Sequence, residues 1–369
     1  MSALALVLGL AGMAHAADEA GNFQASGFLS IVGGKLTSGK LNGAYSGPTT
    51  INDIDCPCYI ADWGNAGVYD GDLSLKPESR AGLQLKYTFS PELKAVGQVV
   101  IRGSDTKPNL QWSFLSYTPN RSWEIQAGRK RIPLYYYSDF QDIGFSYPWV
   151  TPPPELYGWE ATNYNGASVR YKGAAGEANA TASLFAGKET VRDSLYQRLY
   201  YPGKTRVVWS GIFGGDVEVT SGPLTIRGVF MRADVHTTNP PEGLDDRADL
   251  KAFGLAANLD FDDWFILAEV TQLKRNFEAG YSVTAPAMTI GVGYRYGDWT
   301  PFLNHARYKE KTNDLTAYAP QSFNRSSVTL RYDLDPRSAL KVQVDRERDA
   351  TNNFGGNATI FRVAYDRLF

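Results

Sequence analysis

Over most of this chain apolar and polar residues alternate one for one, and that period of two narrows its possible folds more than any other feature. Successive side chains of a β-strand point to opposite faces, so such a segment is a strand with two unlike sides. In 79–90, Ala81, Leu83, Leu85, Tyr87 and Phe89 share one face, and Arg80, Gly82, Gln84, Lys86 and Thr88 the other. In 93–103, Leu93, Ala95, Gly97, Val99 and Ile101 oppose Lys94, Gln98 and Arg102. The pattern returns late, where Val328, Leu330 and Tyr332 oppose Thr329 and Arg331, and Leu340, Val342 and Val344 oppose Lys341, Gln343 and Asp345. The chain ends on it, with Phe361, Val363, Tyr365 and Phe369 against Arg362, Ala364 and Asp366. One such strand also suits the edge of a soluble sandwich. Its repetition through the chain suits a barrel wall with lipid outside and water inside, and a slip of one residue would put charges into lipid at about 2–4 kcal/mol each.

Alternation read together with turn residues gives about sixteen strands, an even number that leaves both termini on one side of a barrel. Short reversals such as Phe89-Ser90-Pro91-Glu92, Thr118-Pro119-Asn120-Arg121 and Tyr296-Gly297-Asp298 follow even-numbered strands. Each carries the Gly, Pro, Asn or Asp that a tight turn requires. The longer segments 37–78, 133–164, 190–204 and 236–247 follow odd-numbered strands. Short turns at one end and long loops at the other is the arrangement of bacterial outer-membrane barrels. No run reaches the roughly eighteen apolar residues of a membrane helix, so only a closed barrel could span a bilayer. Tyr87, Trp123, Trp264, Tyr294, Tyr296, Trp299, Tyr332 and Tyr365 fall near strand ends, where amphipathic rings suit the headgroup level. The expected fold is all-β: a transmembrane antiparallel barrel, apolar outward and hydrophilic inward throughout.

Residues 3–11 form a short apolar core followed by Ala14-His15-Ala16, a small-x-small cleavage pattern, although Lys and Arg are missing from the start. The expected division is 1–16 signal peptide and 17–369 barrel domain. A net charge of −2 makes nucleic acid an improbable partner, and nothing indicates a cofactor or metal. Two cysteines, Cys56 and Cys58, flank Pro57 in a long loop. They are candidates for a local disulfide, with free thiols or metal ligation as alternatives, the last disfavoured for want of a nearby histidine.

The segment 133–164 is the most distinctive. It holds Tyr135, Tyr136, Tyr137, Trp149 and Trp159 among Pro152-Pro153-Pro154 and several carboxylates. A loop of this length and apolarity is too greasy for disorder, and its natural receiver is the barrel lumen. The ring faces are candidates for stacking sugars or aromatic acids; packing against the wall is the commoner use of such rings.

With that loop after strand five, sixteen strands and a terminal Phe369, the chain resembles the Gram-negative outer-membrane porins. Gly128-Arg129-Lys130-Arg131-Ile132-Pro133 leading to Tyr147-Pro148-Trp149 is similar to porin-type sequence. The resemblance implies that the third outer loop bends inward and narrows a water-filled pore. It further implies passive diffusion of ions and small hydrophilic solutes, contact with outer-membrane lipid, and a homotrimer in the cell outer membrane. It also implies acidic loop residues facing a basic wall. Candidates are Asp139, Asp142 and Glu155 on the loop, with Arg80, Arg102, Lys130 and Arg170 on the wall. Opposed charges in a narrow gap filter ions and orient dipolar solutes; the same carboxylates could equally pin the loop in place. Strict alternation keeps Arg129 and Arg131 out of the lumen unless a bulge intervenes.

Two rival functions remain in view. A plugged structural barrel is disfavoured because about sixteen strands enclose more room than inward side chains fill. An enzyme is disfavoured because His236 and His305 are the only histidines of the mature chain and no Gly-x-Ser-x-Gly or His-Glu-x-x-His motif occurs. His305 is expected inside the lumen, leaving a wall-mounted Ser-His lipid hydrolase as the remote alternative.

Overall fold

A computed structural model describes residues 22–105 and 107–369. The expected signal segment lies outside the described residues. Sixteen strands span the wall: β1 (Phe23–Lys40), β2 (Arg80–Thr88), β3 (Leu93–Arg102), β4 (Asn109–Tyr117) and β5 (Trp123–Arg131). Then come β6 (Asn163–Ala175), β7 (Ala178–Val191), β8 (Arg206–Ser221), β9 (Leu224–Asn239), β10 (Leu244–Asp260) and β11 (Trp264–Phe277). The last five are β12 (Ser282–Tyr294), β13 (Trp299–Lys309), β14 (Ser322–Asp335), β15 (Ser338–Asp349) and β16 (Asn357–Leu368). Every neighbour pairs antiparallel, and β1 against β16, with Ile31 opposite Tyr365, closes the cylinder. A further two-residue strand, Lys311–Thr312, continues β13 beside β12. Closure leaves no unpaired edge, which lipid would not tolerate.

Loops L1 (41–79), L3 (132–162), L4 (192–205) and L7 (310–321) are the long ones, and all follow odd-numbered strands. The expected loop 236–247 is corrected: β9 runs on to Asn239 and β10 resumes at Leu244. Pairing of His236 with Arg247 and Thr237 with Asp246 carries the ladder through that polar stretch.

The outer wall gives the depth of the membrane. Phe230 and Phe253 form an outward apolar pair, and the next outward pair toward the loops is Arg232 and Lys251. The same switch falls between Leu303 and His305 on β13 and between Val344 and Arg346 on β15. Below it the outward face is apolar down to Trp123, Trp264, Tyr294 and Trp299, half-exposed rings at the turn end of the barrel. Trp299 packs on Tyr332 at 4.5 Å and Trp264 on Phe261 at 4.3 Å, a girdle at one interface.

A tilted membrane strand needs about 9–11 residues, whereas β10 has 17. The longer strands therefore rise above the hydrocarbon, and there the polarity of the wall inverts. Trp209, Met231, Leu250 and Leu273 point inward and are buried, while outward residues at that level, among them Arg232, Asp249, Lys251 and Lys274, are mostly polar or charged; the inward Phe302, lower down beside Leu303, continues the same apolar surface at belt level. This corrects the expectation of a hydrophilic interior throughout. Water bathes the outside of the upper wall, so its inner face is free to build a core.

Candidate functional site: a passage beside the third loop

L3 and L1 enter the upper barrel and pack on that apolar inner wall. Trp149 stands edge-on to Phe302 at 5.2 Å and to Tyr137 at 5.5 Å; Tyr135 packs on Tyr157 at 4.7 Å. From L1, Trp63 stacks on Phe323 and Phe354 at 5.4 and 5.0 Å. Of the five loop aromatics singled out in the sequence, Tyr135, Tyr137, Trp149 and Trp159 are buried. Tyr136 is half-buried. Most of these rings hold the loop rather than offer a stacking path.

Polar anchors then fix L3 to walls on every side. Arg227 on β9 donates to the Tyr135 and Pro133 carbonyls at 2.7 and 2.8 Å. Lys341 on β15 donates to the Gly144 and Trp149 carbonyls at 2.6 and 2.7 Å. Arg331 on β14 donates to the Phe145 carbonyl at 2.7 Å, and the Val150 amide donates to Gln343 at 2.9 Å. Glu269 on β11 accepts from the Tyr136 amide at 3.0 Å and from the Tyr157 hydroxyl. Backbone groups taken into an apolar interior require such partners.

The seven charged candidates divide into two groups. Asp142 accepts from Arg102 Nη2 at 2.8 Å and from Arg131, all three side chains being buried. Glu155 is buried at 2.9 Å from Arg325. Arg80 donates to the Tyr147 hydroxyl, which itself donates to the Gln141 carbonyl at 3.0 Å. These groups pin the loop. Asp139, by contrast, is exposed at the tip of a 3₁₀ turn (Ser138–Phe140) and within electrostatic reach of Lys130. Lys130 is half-buried, donating to Ser168 at 3.3 Å and to Gln126, and Arg170 donates to Ser183 at 3.2 Å. Gln126, Lys130, Asp139, Ser168, Arg170 and Arg227 all retain solvent exposure on the inside of β5–β9. Water therefore reaches the bore on that side of L3, opposite a side that is packed.

Sequence reasoning missed several members. Arg131 is the last residue of β5 and turns in to Asp142 past the strand's end, whereas Arg129 stays on the outer side with Glu189 at 2.7 Å. Under L1 and L3, Arg362 lies 2.5 Å from both Glu78 and Asp345, and Lys341 lies 2.9 Å from Asp366, every group fully or nearly fully buried. Alternation had put Lys341, Asp345, Arg362 and Asp366 on the inner face; their pairing depends on neighbours distant in sequence. His305 is corrected: it lies outward with Leu303 and Arg307, its Nδ1 3.1 Å from Ser326 Oγ. The apolar residues beside it face the upper core rather than lipid. Cys56 and Cys58 are two free thiols in L1, Cys58 fully buried and Cys56 partly so. The neighbouring Cys58 thiol holds the Cys56 thiol below its ordinary range, and Cys56 together with burial pushes Cys58 up.

A closed barrel with an apolar belt, an aromatic girdle and a charged, water-reached bore defines an outer-membrane channel. The chain belongs to the Gram-negative porin family, whose model matches residues 2–353. Its place is the cell outer membrane. No curated protein matches it. Among solved structures it is similar to the outer membrane channel DcaP of Acinetobacter baumannii: TM-score 0.61, 13% identity, 94% of this chain and 97% of that one covered. The anion-selective porin from Comamonas acidovorans gives TM-score 0.58 at 16% identity, covering 94% and 99%. OmpF of Salmonella typhi, in complex with daunomycin, gives TM-score 0.58 at 12% identity, covering 95% and 98%. These likenesses show the shared barrel.

Proposed function

We propose that the channel is a narrow passive one for ions and small hydrophilic solutes, constricted by L3, with a preference for anions. The observation that carries this reading is the one-sided bore: L3 fills the β10–β16 side, and the inward charges that keep solvent exposure collect chiefly on the other. There Lys86, Lys94, Lys130, Arg170, Lys172 and Arg227 outnumber Glu124, Asp139 and Glu218, while Asp216 is buried 3.5 Å from Arg227. Excess fixed charge in a confined aqueous path raises the local concentration of counter-ions. Three copies would associate through the short strands β2–β5, whose outward Leu83, Ala95 and Gly97 make a low, flat apolar wall.

Hydrolysis finds little support, because the ring of His305 meets Ser326 through Nδ1 and, among the described residues, no carboxylate is a hydrogen-bond partner of it. A serine nucleophile draws its reactivity from a histidine that a third group orients.

The test is a planar-bilayer recording of purified protein in a salt gradient. Discrete steps whose reversal potential lies on the chloride side support the reading. Silence refutes the open passage, and a cation-side potential refutes the preference. Phospholipid hydrolysis lost in His305→Ala would refute a purely passive role.

A further inference from the structure

Above L3 the packed side of the barrel is hollow in one place, and four separate loops each turn an aromatic residue into the hollow. The cavity measures about 400 Å³. Trp159 comes from L3, Tyr196 and Tyr200 from L4, Tyr281 from the loop after β11, and Tyr318 from L7. Tyr200 and Tyr318 also line a larger outer vestibule of about 980 Å³, so the chamber adjoins that vestibule. Aromatics converging from four loops on one void of ligand size are not needed to close the barrel, which its ladder already closes.

The polar groups in the chamber narrow what could fill it. Arg275 lies over the Trp159 ring at 4.5 Å and pairs with Glu160 at 2.8 Å, and this cancels their charges. Its Nε is buried without an acceptor, and so is Glu160 Oε2 without a donor. Asp246 lines the cavity half-buried, with no described residue donating to it. Glu310 accepts from the Tyr308 and Tyr318 hydroxyls at 2.7 and 2.9 Å. An anionic ligand would meet two carboxylates, Asp246 and Glu310, that no cation balances. A cationic one would be repelled by the Arg275 guanidinium, whose side chain keeps 18% exposure. A hydroxyl both donates and accepts, so a ring bearing several of them can meet the exposed part of Arg275 and Asp246 together. The C–H face of such a ring is apolar and lies flat on an aromatic one.

We propose that this chamber is a binding site for a neutral polyhydroxylated ring, a mono- or disaccharide, that enters the channel from outside. The proposal rests on the channel reading only for the solute's onward route.

The test is a titration of the folded full chain in detergent, following tryptophan emission, with sucrose as probe and benzoate and benzyltrimethylammonium as charged ring controls. Bilayer recordings of the same preparation run alongside. Sucrose is expected to shift the emission saturably. Asp246→Asn and Tyr281→Ala should each weaken that binding about tenfold, the effect of losing one charged acceptor or one stacking ring. Circular dichroism checks that both variants fold, and Tyr281, half-buried at a loop, is removed without touching the buried anchors of L3. The absence of a saturable sucrose response, binding that survives both substitutions, or tighter binding of either charged ring overturns the proposal. Sucrose binding by a protein that passes no current would keep the chamber and overturn the channel reading; current without sucrose binding does the reverse.

Discussion

Asp142→Ala removes the carboxylate on which two buried guanidinium groups converge. Asp142 is 5% exposed, Arg102 8% and Arg131 4%. After the substitution Arg102 keeps Asp105 at 3.5 Å, but Arg131 keeps only the neutral Gln111 and Gln141 at 3.2 and 3.4 Å. Breaking a buried pair from one side costs about 3–5 kcal/mol, because the remaining charge stays out of water. The barrel's ladder does not depend on this contact, and the other L3 anchors lie at different points along the loop. The loss therefore falls on the docking of residues 138–147, as local opening. At about 1.4 kcal/mol per factor of ten, protection of that turn should fall by about two to three and a half powers of ten. The Phe140, Ile143 and Ser146 amides, bonded to the Tyr137, Phe140 and Ile143 carbonyls at 3.1, 2.9 and 3.0 Å, report it. Hydrogen–deuterium exchange read by mass spectrometry on the peptide covering them is the assay. Replacing Arg131 by Met in the same chain should recover much of the loss, since both charges then leave together. Unchanged exchange in Asp142→Ala, with the rest of the protein folded, would refute the claim that this cluster holds the loop.

Two further outcomes are expected. Lys130→Glu reverses a half-buried charge in the passage, so the reversal potential should move toward cations. The shift should fade between about 0.1 and 1 M salt as the screening length drops from about 10 to 3 Å; an unmoved potential would place Lys130 outside the ion path. Iodoacetamide should label Cys56 first, with an onset at lower pH than a simple thiol shows, because the neighbouring Cys58 thiol favours its thiolate. Cys58, fully buried, should react only after unfolding; mass spectrometry that finds neither labelled would mean that the two are joined in a disulfide.

Period-two alternation made the wall legible from sequence. It set Arg331, Lys341 and Asp345 inward and Leu330, Val342 and Val344 outward, as found, and with the turn residues it gave the number of wall strands. What alternation lacks is depth. The same period describes a strand in hydrocarbon with a wet interior and a strand above the membrane with a packed one, and only the exchange of faces distinguishes them. His305 was assigned inward because Phe302, Ala306 and Tyr308 looked lipid-facing; at that height they face L3 and its surroundings. Loop residues were legible as a set but not by role. Asp139 and Asp142 are three residues apart on one loop, yet one is exposed and the other lies between two arginines. That difference depends on Arg102, which alternation sets inward, and on Arg131, which turns in at the end of β5. The chamber under L4 and L7 left no local signal, since its aromatics, from Trp159 to Tyr318, come from four separate loops.

The most direct measurement of a one-sided bore is thiol modification of an open channel, in a background with Cys56→Ser and Cys58→Ser. Ser168 points inward with partial exposure beside Lys130, and Ala306 points inward from β13 fully buried in the packed side. A charged methanethiosulfonate added to the conducting channel should cut the current of Ser168→Cys and leave that of Ala306→Cys unchanged. Block at Ala306→Cys with none at Ser168→Cys would put the water on the side assigned to the core and contradict the account.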